Sequence, residues 1–208
     1  MHLLTFFSDR MGMNLKPVLL KGDRVDLEPL RLEQIGQLCE FGLDEELWKL
    51  TANQILTISD MRAYVKAALS DMERGISLPF VTKLIDGNKI VGSTRFGNID
   101  ISNRKVEIGW TWIDPRWQRS FVNTEAKLLM LTHAFEVWNC VRVEFKTDAL
   151  NDRSRKAILR LGATEEGILR NHMITDSGRN RDSVYFSIID QEWECVKMGL
   201  VQKLRSRQ

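Results

Sequence analysis

The sequence predicts an α/β (α+β) fold, a mixed sheet with helices on both faces. Three observations predict it. The apolar patterning runs β, α, α, β, β, β, α, β, α, β, β before a last amphipathic helix, an order that suits a mixed sheet covered on both sides. Residues 106–139 read as strand, loop and helix, the unit around which the rest is arranged. Asp86-Gly87 between two apolar runs is a strong hairpin signal.

Taken in order, residues 24–30 (RVDLEPL) alternate apolar and polar side chains and form a first strand, with Pro29 placing its end at an edge. Residues 32–42 form a helix with Ile35 and Leu38 on one side. A second helix, 59–74, starts at a Ser-Asp cap and repeats Met61, Val65, Ala68 and Met72 before Gly75. Between them, residues 43–58 are irregular, amphipathic and carry Trp48; a long connection of this kind inside a compact domain points to function. Strands 79–85 and 89–96 join at Asp86-Gly87-Asn88, and a second reversal at 98–103 leads into strand 106–113. Asp114-Pro115 ends that strand, because proline has no amide hydrogen for the ladder.

The helix that follows has Leu131, Ala134, Phe135 and Trp138 as one apolar stripe, with Asn123 or Thr124 as its N-cap. Strand 141–147 precedes a helix at 151–161, capped by Asn151 or Asp152, striped by Ser154, Ala157, Ile158 and Leu161, and ended by Gly162. Strands 163–173 and 181–189 flank the turn at 176–178. The tail 191–204 sets Trp193, Val196, Leu200 and Leu204 on one face, to cap the core or a partner subunit.

With 208 residues, 43% hydrophobic and 28% charged, the expectation is a soluble, globular, cytoplasmic chain of one domain. No apolar run reaches the roughly 18 residues that span a bilayer, so no membrane partner is expected. Residues 1–14 have a short apolar piece without a basic region before it or a small-residue cleavage site. They read as a flexible or upstream-start extension, with translation from Met13 the alternative. The formal charge of +2, from 30 basic and 28 acidic residues, implies no broad polycationic surface and no nucleic-acid partner. Cys39, Cys140 and Cys195 are widely spaced, form no metal pattern and fit reduced thiols; nothing beside Cys140 in sequence could act as its base.

Local charge says more than the total. The loop at 116–122 feeds a helix N-terminus, where unpaired N–H groups and a partial positive charge favour an anion, and Arg116 and Arg119 add two cations. The helix at 151–161 carries Arg153, Arg155 and Lys156 in its first turns, where the macrodipole disfavours each by about 0.3–1 kcal/mol. Either these side chains point into water or a polyanion neutralises them. Two such helix starts suit a ligand with several phosphates.

VEIGWTWIDPRWQRSFVNTEA, NDRSRKAILRLGA and RNHMITDSGRNRDSVYFSII, in that order and spacing, resemble the GCN5-related N-acetyltransferase (GNAT) superfamily, specifically its RimJ/RimL-like branch. The resemblance covers residues 15–189, which sets out an extension (1–14), an acetyltransferase domain (15–189) and a helical tail (190–208). The family's pyrophosphate loop has the form Gln/Arg-x-x-Gly-x-Gly/Ala. Gln118 takes its first position, but Phe121 and Asn123 stand where the glycines belong. The resemblance therefore implies a variant loop whose N–H groups face outward with ordinary dihedrals, or weakened cofactor binding.

The implied activity is transfer of acetyl from acetyl-CoA to a primary amine by direct attack in a ternary complex, with no metal. Trp112 and Ile113 are the implied backbone contacts of pantetheine, and a bulge near Thr111 would free an N–H for the thioester oxygen. Gln118, Arg119, Ser120, Phe121, Val122, Asn123 and Thr124 would hold the pyrophosphate, with Lys156 beside them, and Asn151 is a further pantetheine contact. Ser154 is the candidate acid at the sulfur, directly or through water; otherwise it is an N3 serine supporting the helix cap. Glu107 is the candidate base, through water; otherwise it is an exposed strand carboxylate paired with Lys105 or Arg104.

His133 reads as a packed or solvent-edge histidine. His172 lies near the expected substrate cleft but reads first as structural, and Tyr185 is a core residue or a cleft hydroxyl. Trp48, with residues 43–58, is a candidate substrate wall. The acceptor is a protein N-terminus, as the RimJ/RimL resemblance suggests, or a small amine such as a polyamine, amino acid or antibiotic. For a polyamine, Asp44, Glu45 and Glu46 are available to line an acidic pocket. A non-catalytic acyl-CoA-binding module is the reading from another class, and the chain is a monomer or a homodimer.

Overall fold

The computed structural model describes residues 13–206 and places seven strands in one sheet, in the order β1-β2-β3-β4-β5-β7-β6. The strands are β1 Val25–Pro29, β2 Ser77–Leu84, β3 Ile90–Asp100, β4 Lys105–Ile113, β5 Arg142–Asp148, β6 Thr164–Ile174 and β7 Asn180–Ile189. The helices are α1 Ile35–Gly42, α2 Glu45–Trp48, α3 Ile58–Glu73, α4 Val122–Thr132, α5 Asp152–Leu161 and α6 Trp193–Arg205. The mixed sheet expected from the sequence is therefore present, and so is its C-terminal helix.

The middle of the sheet sets up everything else. β4 and β5 pair in parallel, because α4 crosses over between them, whereas the other neighbouring strands are antiparallel. Their ladder is short, pairing Lys105 with Arg142 at one end and Glu107 with Glu144 at the other. Beyond it, β5 follows β7 as far as Asp148 while β4 follows β3 to Ile113, so the two strands part.

A bulge in β4 goes with that parting. Ser93 faces Trp112 and Arg95 faces Gly109, so Trp110 and Thr111 together oppose Thr94. Trp110 takes φ 49°, and a bulge of this kind bends the strand and increases its twist. The Trp110 ring lies where a side chain on residue 97 would stand; Gly97 leaves the room for it.

Two apolar layers hold the sheet. On one face Phe96, Ile108, Phe145, Phe186 and Ile188 pack with Met130 and Leu131 of α4, Ile158 of α5 and Leu200 of α6. On the other, Leu38, Trp48, Met61 and Val65 cover Val81, Ile90 and Trp112.

Several boundaries differ from the sequence expectation for local reasons. α4 starts at Val122 after an N-cap at Phe121, not at Asn123 or Thr124, because the Ser120 hydroxyl already accepts the Val122 N–H at 3.2 Å. Thr57, not Ser59, caps α3: its hydroxyl accepts from Asp60 N–H while the Asp60 carboxylate accepts from Thr57 N–H, a reciprocal capping box. The connection 43–58 is not wholly irregular, since Asp44 caps the single turn of α2.

The tail covers its own core. Trp193, Val196 and Leu200 are buried there, Phe135 stacks on Trp193 at 5.3 Å, and Trp193 Nε1 donates to Glu136. Residues 1–12 of the extension and residues 207–208 of the tail lie outside the described residues. Residues 13 and 14, placed in a flexible extension, instead pack: Met13 is buried and the Asn14 carbonyl accepts from Trp138 Nε1 at 3.1 Å.

Candidate active site

Where β4 and β5 part, a cavity of about 590 Å³ opens, within the range usual for small-molecule sites. Its walls are the bulged half of β4, Phe145 to Thr147 of β5, the start of α4, the length of α5, Met173 of β6, Arg181 of β7, Tyr64 of α3 and the connection around Trp48 and Asn53. Glu107 is the one carboxylate in that wall among the described residues. Against it stand Arg119, Lys127, Lys146, Arg153, Lys156, Arg160 and Arg181. The cavity therefore suits an anion.

The anion end is built by two helix starts. Gln118 clamps them: its Nε2 donates to the Ile113 carbonyl at 3.0 Å and its Oε1 accepts from Arg153 at 2.8 Å. Phe121 has φ −71° and Asn123 is helical, so both positions without glycine take ordinary dihedrals. The left-handed residue of the loop is Arg119, at φ 62°. Gln118, Arg119 and Asn123 line the cavity; Ser120, Phe121, Val122 and Thr124 do not. Ser120 donates to the Trp117 carbonyl, Phe121 lies 4.0 Å under the Arg24 guanidinium, and Val122 and Thr124 are buried, so these four could serve a ligand only through their backbone.

Of the cations expected here, two are committed elsewhere. Arg116 forks onto the buried carboxylate of Asp114, at 3.0 and 2.6 Å, and Arg155 reaches Glu165 at 3.3 Å; neither lines the cavity. Lys156 and Ser154 do line it. The Ser154 amide donates to Asn151 Oδ1 at 3.0 Å, so Ser154 supports the cap and also stands in the wall, whereas Asn151 is spent on capping and is not part of the wall.

Trp112 and Ile113 line the cavity on the open edge of β4, with Trp112 held by Trp48 and Phe41 at ring separations of 5.3 and 5.4 Å. Glu107 is 3% exposed and pairs with neither Lys105 nor Arg104. The parallel register brings Lys146 to it diagonally, 3.0 Å away, and Asn98 Nδ2 donates to it at 2.7 Å. Trp48 is buried, its Nε1 donating to the Gly42 carbonyl, yet it still forms cavity wall. Asp44, Glu45 and Glu46 are not in the wall, so the acidic pocket expected for a polyamine is not built from them.

His133 is packed against Trp138 and Phe96, and burial lowers its pKa. His172 accepts or donates to Ser183 through Nδ1 at 2.9 Å, beside Tyr185; neither lines the cavity, and Tyr185 is half-buried rather than part of the core. Burial pushes the Cys140 thiol up to about 12, which removes it as a nucleophile at neutral pH.

Sequence reasoning missed Lys127. The residue is 4% exposed, lines the cavity, and donates from Nζ to Thr94 Oγ1 at 2.8 Å and Thr111 Oγ1 at 2.7 Å, pinning the bulge. A signal was present, since Lys127 lies four residues before Leu131 on the apolar stripe. Desolvation brings its pKa down to about 7.

In the unfolded chain a lysine titrates near 10.4, so between about pH 7 and 10 the unfolded state binds the extra proton and stability rises with pH. Below pH 7 the cost of burying the ammonium is complete. Lys127→Met is therefore expected to be more stable than the parent at pH 7 by about 1–3 kcal/mol, a gain that shrinks towards pH 10. Thermal melts of both proteins at the two pH values check this; equal stability at pH 7 would show that the buried amine costs nothing.

A family profile described as an acetyltransferase (GNAT) domain matches residues 24–164. The chain belongs to the GNAT acetyltransferase family. Among GNAT relatives it is 34% identical over 131 residues to a Bacillus subtilis (strain 168) protein provisionally named ribosomal N-acetyltransferase YdaF, a match covering 63% of this chain and 66% of that relative. A solved structure of a provisionally assigned acetyltransferase from T. thermophilus superimposes with TM-score 0.83 at 33% identity, covering 90% of this chain and 97% of the other. Mycobacterium smegmatis RimJ, solved in complex with CoA-disulfide, shares the fold at TM-score 0.78 and 23% identity, over 93% and 97% of the two chains. Among the described residues of this GNAT chain, no helix is long and apolar enough to cross a membrane.

Proposed function

We propose that the cavity binds acetyl-CoA and that the chain transfers its acetyl group to a primary amine, with a protein N-terminal amine as the leading acceptor. The observation that carries this is the open edge of β4, which runs from a bulge pinned by Lys127 into two helix starts carrying Arg119 and Lys156. That donor set fits the group: an unpaired strand edge for an amide-bearing arm, and cations beside helix N-termini for phosphates. The name of one relative supports the acceptor class, since YdaF is named for ribosomal N-acetylation. In this reading residues 15–189 are the catalytic domain and 190–208 its C-terminal tail, acting in the cytoplasm.

Four requirements follow from the chemistry, and the reading assigns each to residues of the cavity. Gln118, Arg119, Asn123 and Lys156 hold the phosphates, and the β4 edge at Trp112 and Ile113 aligns the thioester. Glu107 takes one proton of the acceptor ammonium through a water, the amine nitrogen bonds to the acetyl carbon, and as the C–S bond breaks the nitrogen releases its second proton to solvent, leaving the amide. The bulge at Trp110 and Thr111 presents its N–H groups to the developing oxyanion. Ser154 gives a proton to the departing thiolate and regains one from solvent.

Calorimetric titration with acetyl-CoA and desulfo-CoA tests the reading. Binding to the parent is expected to weaken tenfold or more, about 1.4 kcal/mol, in the double variant Arg119→Ala, Lys156→Ala. No detectable binding to the parent overturns the proposal. Binding without turnover on any amine leaves the alternative, an acyl-CoA-binding module.

A further inference from the structure

The wall of the cavity is more positive than a plain amine calls for. Arg181, on β7, is 6% exposed and lines the cavity, yet its Nε has no hydrogen-bond partner among the described residues. Its nearest carboxylate, Asp148, stands 3.9 Å away and is already gripped by Arg179. On β3, Arg95 is also buried with an Nε that has no hydrogen-bond partner among the described residues, its guanidinium 4.8 Å from the Tyr64 ring and 5.1 Å from the Trp110 ring, both of which form cavity wall.

Glu107 does not offset this charge, because Lys146 and Asn98 occupy it. A buried guanidinium is ordinarily forked onto a carboxylate, and one held out of water with only a shared carboxylate 3.9 Å away has that fork unfilled. An acceptor ammonium alone would be repelled by such a wall. An acceptor that brings its own carboxylate would complete it.

We propose that Arg181 binds a carboxylate on the acceptor, which makes the acceptor class amines that carry an acidic group. This rests on the acetyltransferase reading above. The amine faces Glu107 and the bulge while the carboxylate sits on Arg181, with the positive field of Arg95 behind it. Two sources supply this chemistry: the α-carboxylate of a free amino acid, or an acidic side chain close to a peptide N-terminus. Length of the acceptor separates them.

The experiment uses the full chain and follows thiol release from acetyl-CoA with matched acceptors. These are amino acids and their amides, short peptides with Asp or Glu in the second or third position and the same peptides with Asn or Gln, and spermidine. The carboxylate member of each favoured pair is expected to have a kcat/KM at least tenfold above its amide. That ratio should fall to near one in Arg181→Gln, recover in part in Arg181→Lys, and leave acetyl-CoA affinity unchanged. Amino acids leading the panel identifies the free carboxylate as the ligand, and acidic peptides leading identifies the side chain.

Equal use of carboxylate and amide, preference for spermidine, or a preference that survives Arg181→Gln overturns the proposal while leaving the acetyltransferase intact. Should no acceptor turn over, titration of the CoA-saturated parent with the same pairs decides: tenfold tighter binding of the carboxylate member supports the site, and no difference overturns it. Failure to bind acetyl-CoA at all is the separate result that removes the underlying reading.

Discussion

Glu107→Gln is expected to lower kcat/KM by about 10²–10³ while acetyl-CoA affinity stays near that of the parent. The glutamine keeps the shape and the acceptor for Asn98, whose Nδ2 donates at 2.7 Å, but it cannot take a proton. The complication is Lys146, which would lose the carboxylate 3.0 Å away and remain charged beside the Trp110 ring. Breaking a partly buried pair by removing one member destabilises the fold, so a slower enzyme could simply be a less folded one. The double variant Glu107→Gln, Lys146→Met separates the two effects, since it removes the orphaned charge. Stability is expected to return in the double variant and the rate is not. Near-parental turnover in either variant would remove Glu107 as the base.

Glu125→Leu is expected to cost about 3–5 kcal/mol of stability and to lower the melting temperature by on the order of 10 °C. Glu125 is 4% exposed, and its Oε1 accepts from three successive backbone N–H groups: Asp23 at 2.7 Å, Arg24 at 2.8 Å and Val25 at 3.3 Å. It thereby ties the first turn of α4 to the start of β1. Leucine would leave those donors buried and unpaired, and would strand Arg24, whose Nε lies 3.6 Å from the other carboxylate oxygen. Glu125→Gln keeps one acceptor oxygen and should lose less. Thermal melts rank the three proteins. A leucine variant as stable as the parent would show that water serves those N–H groups equally well.

The sequence made the local features legible. The order of elements, the reversal at Asp86-Gly87, and the Asn151 cap and Gly162 stop of α5 all rest on interactions within a few residues, and residue type announces them; the bulge in β4 was expected from the family resemblance instead. The motifs also pointed to the family and to several wall residues, Glu107, Trp112, Gln118, Arg119, Ser154 and Lys156 among them.

Where expectation and structure differ, a nearby competitor decided. Ser120 took the Val122 amide and moved the start of α4, and Asp114 took Arg116 away from the cavity.

The sequence by itself therefore determined the fold class, the sites of the turns, the cap of α5, and which helix start lies near which strand end. Only the tertiary structure decided which charges are buried and with whom. Glu107 meets Lys146 across 39 positions, Lys127 reaches Thr94 across 33 and Glu125 holds Asp23 across 102, while the Arg181 Nε is buried without a hydrogen bond among the described residues. The physical reason is that a charge becomes costly or useful only once packing removes water from it, and that depends on neighbours the chain brings together from far apart.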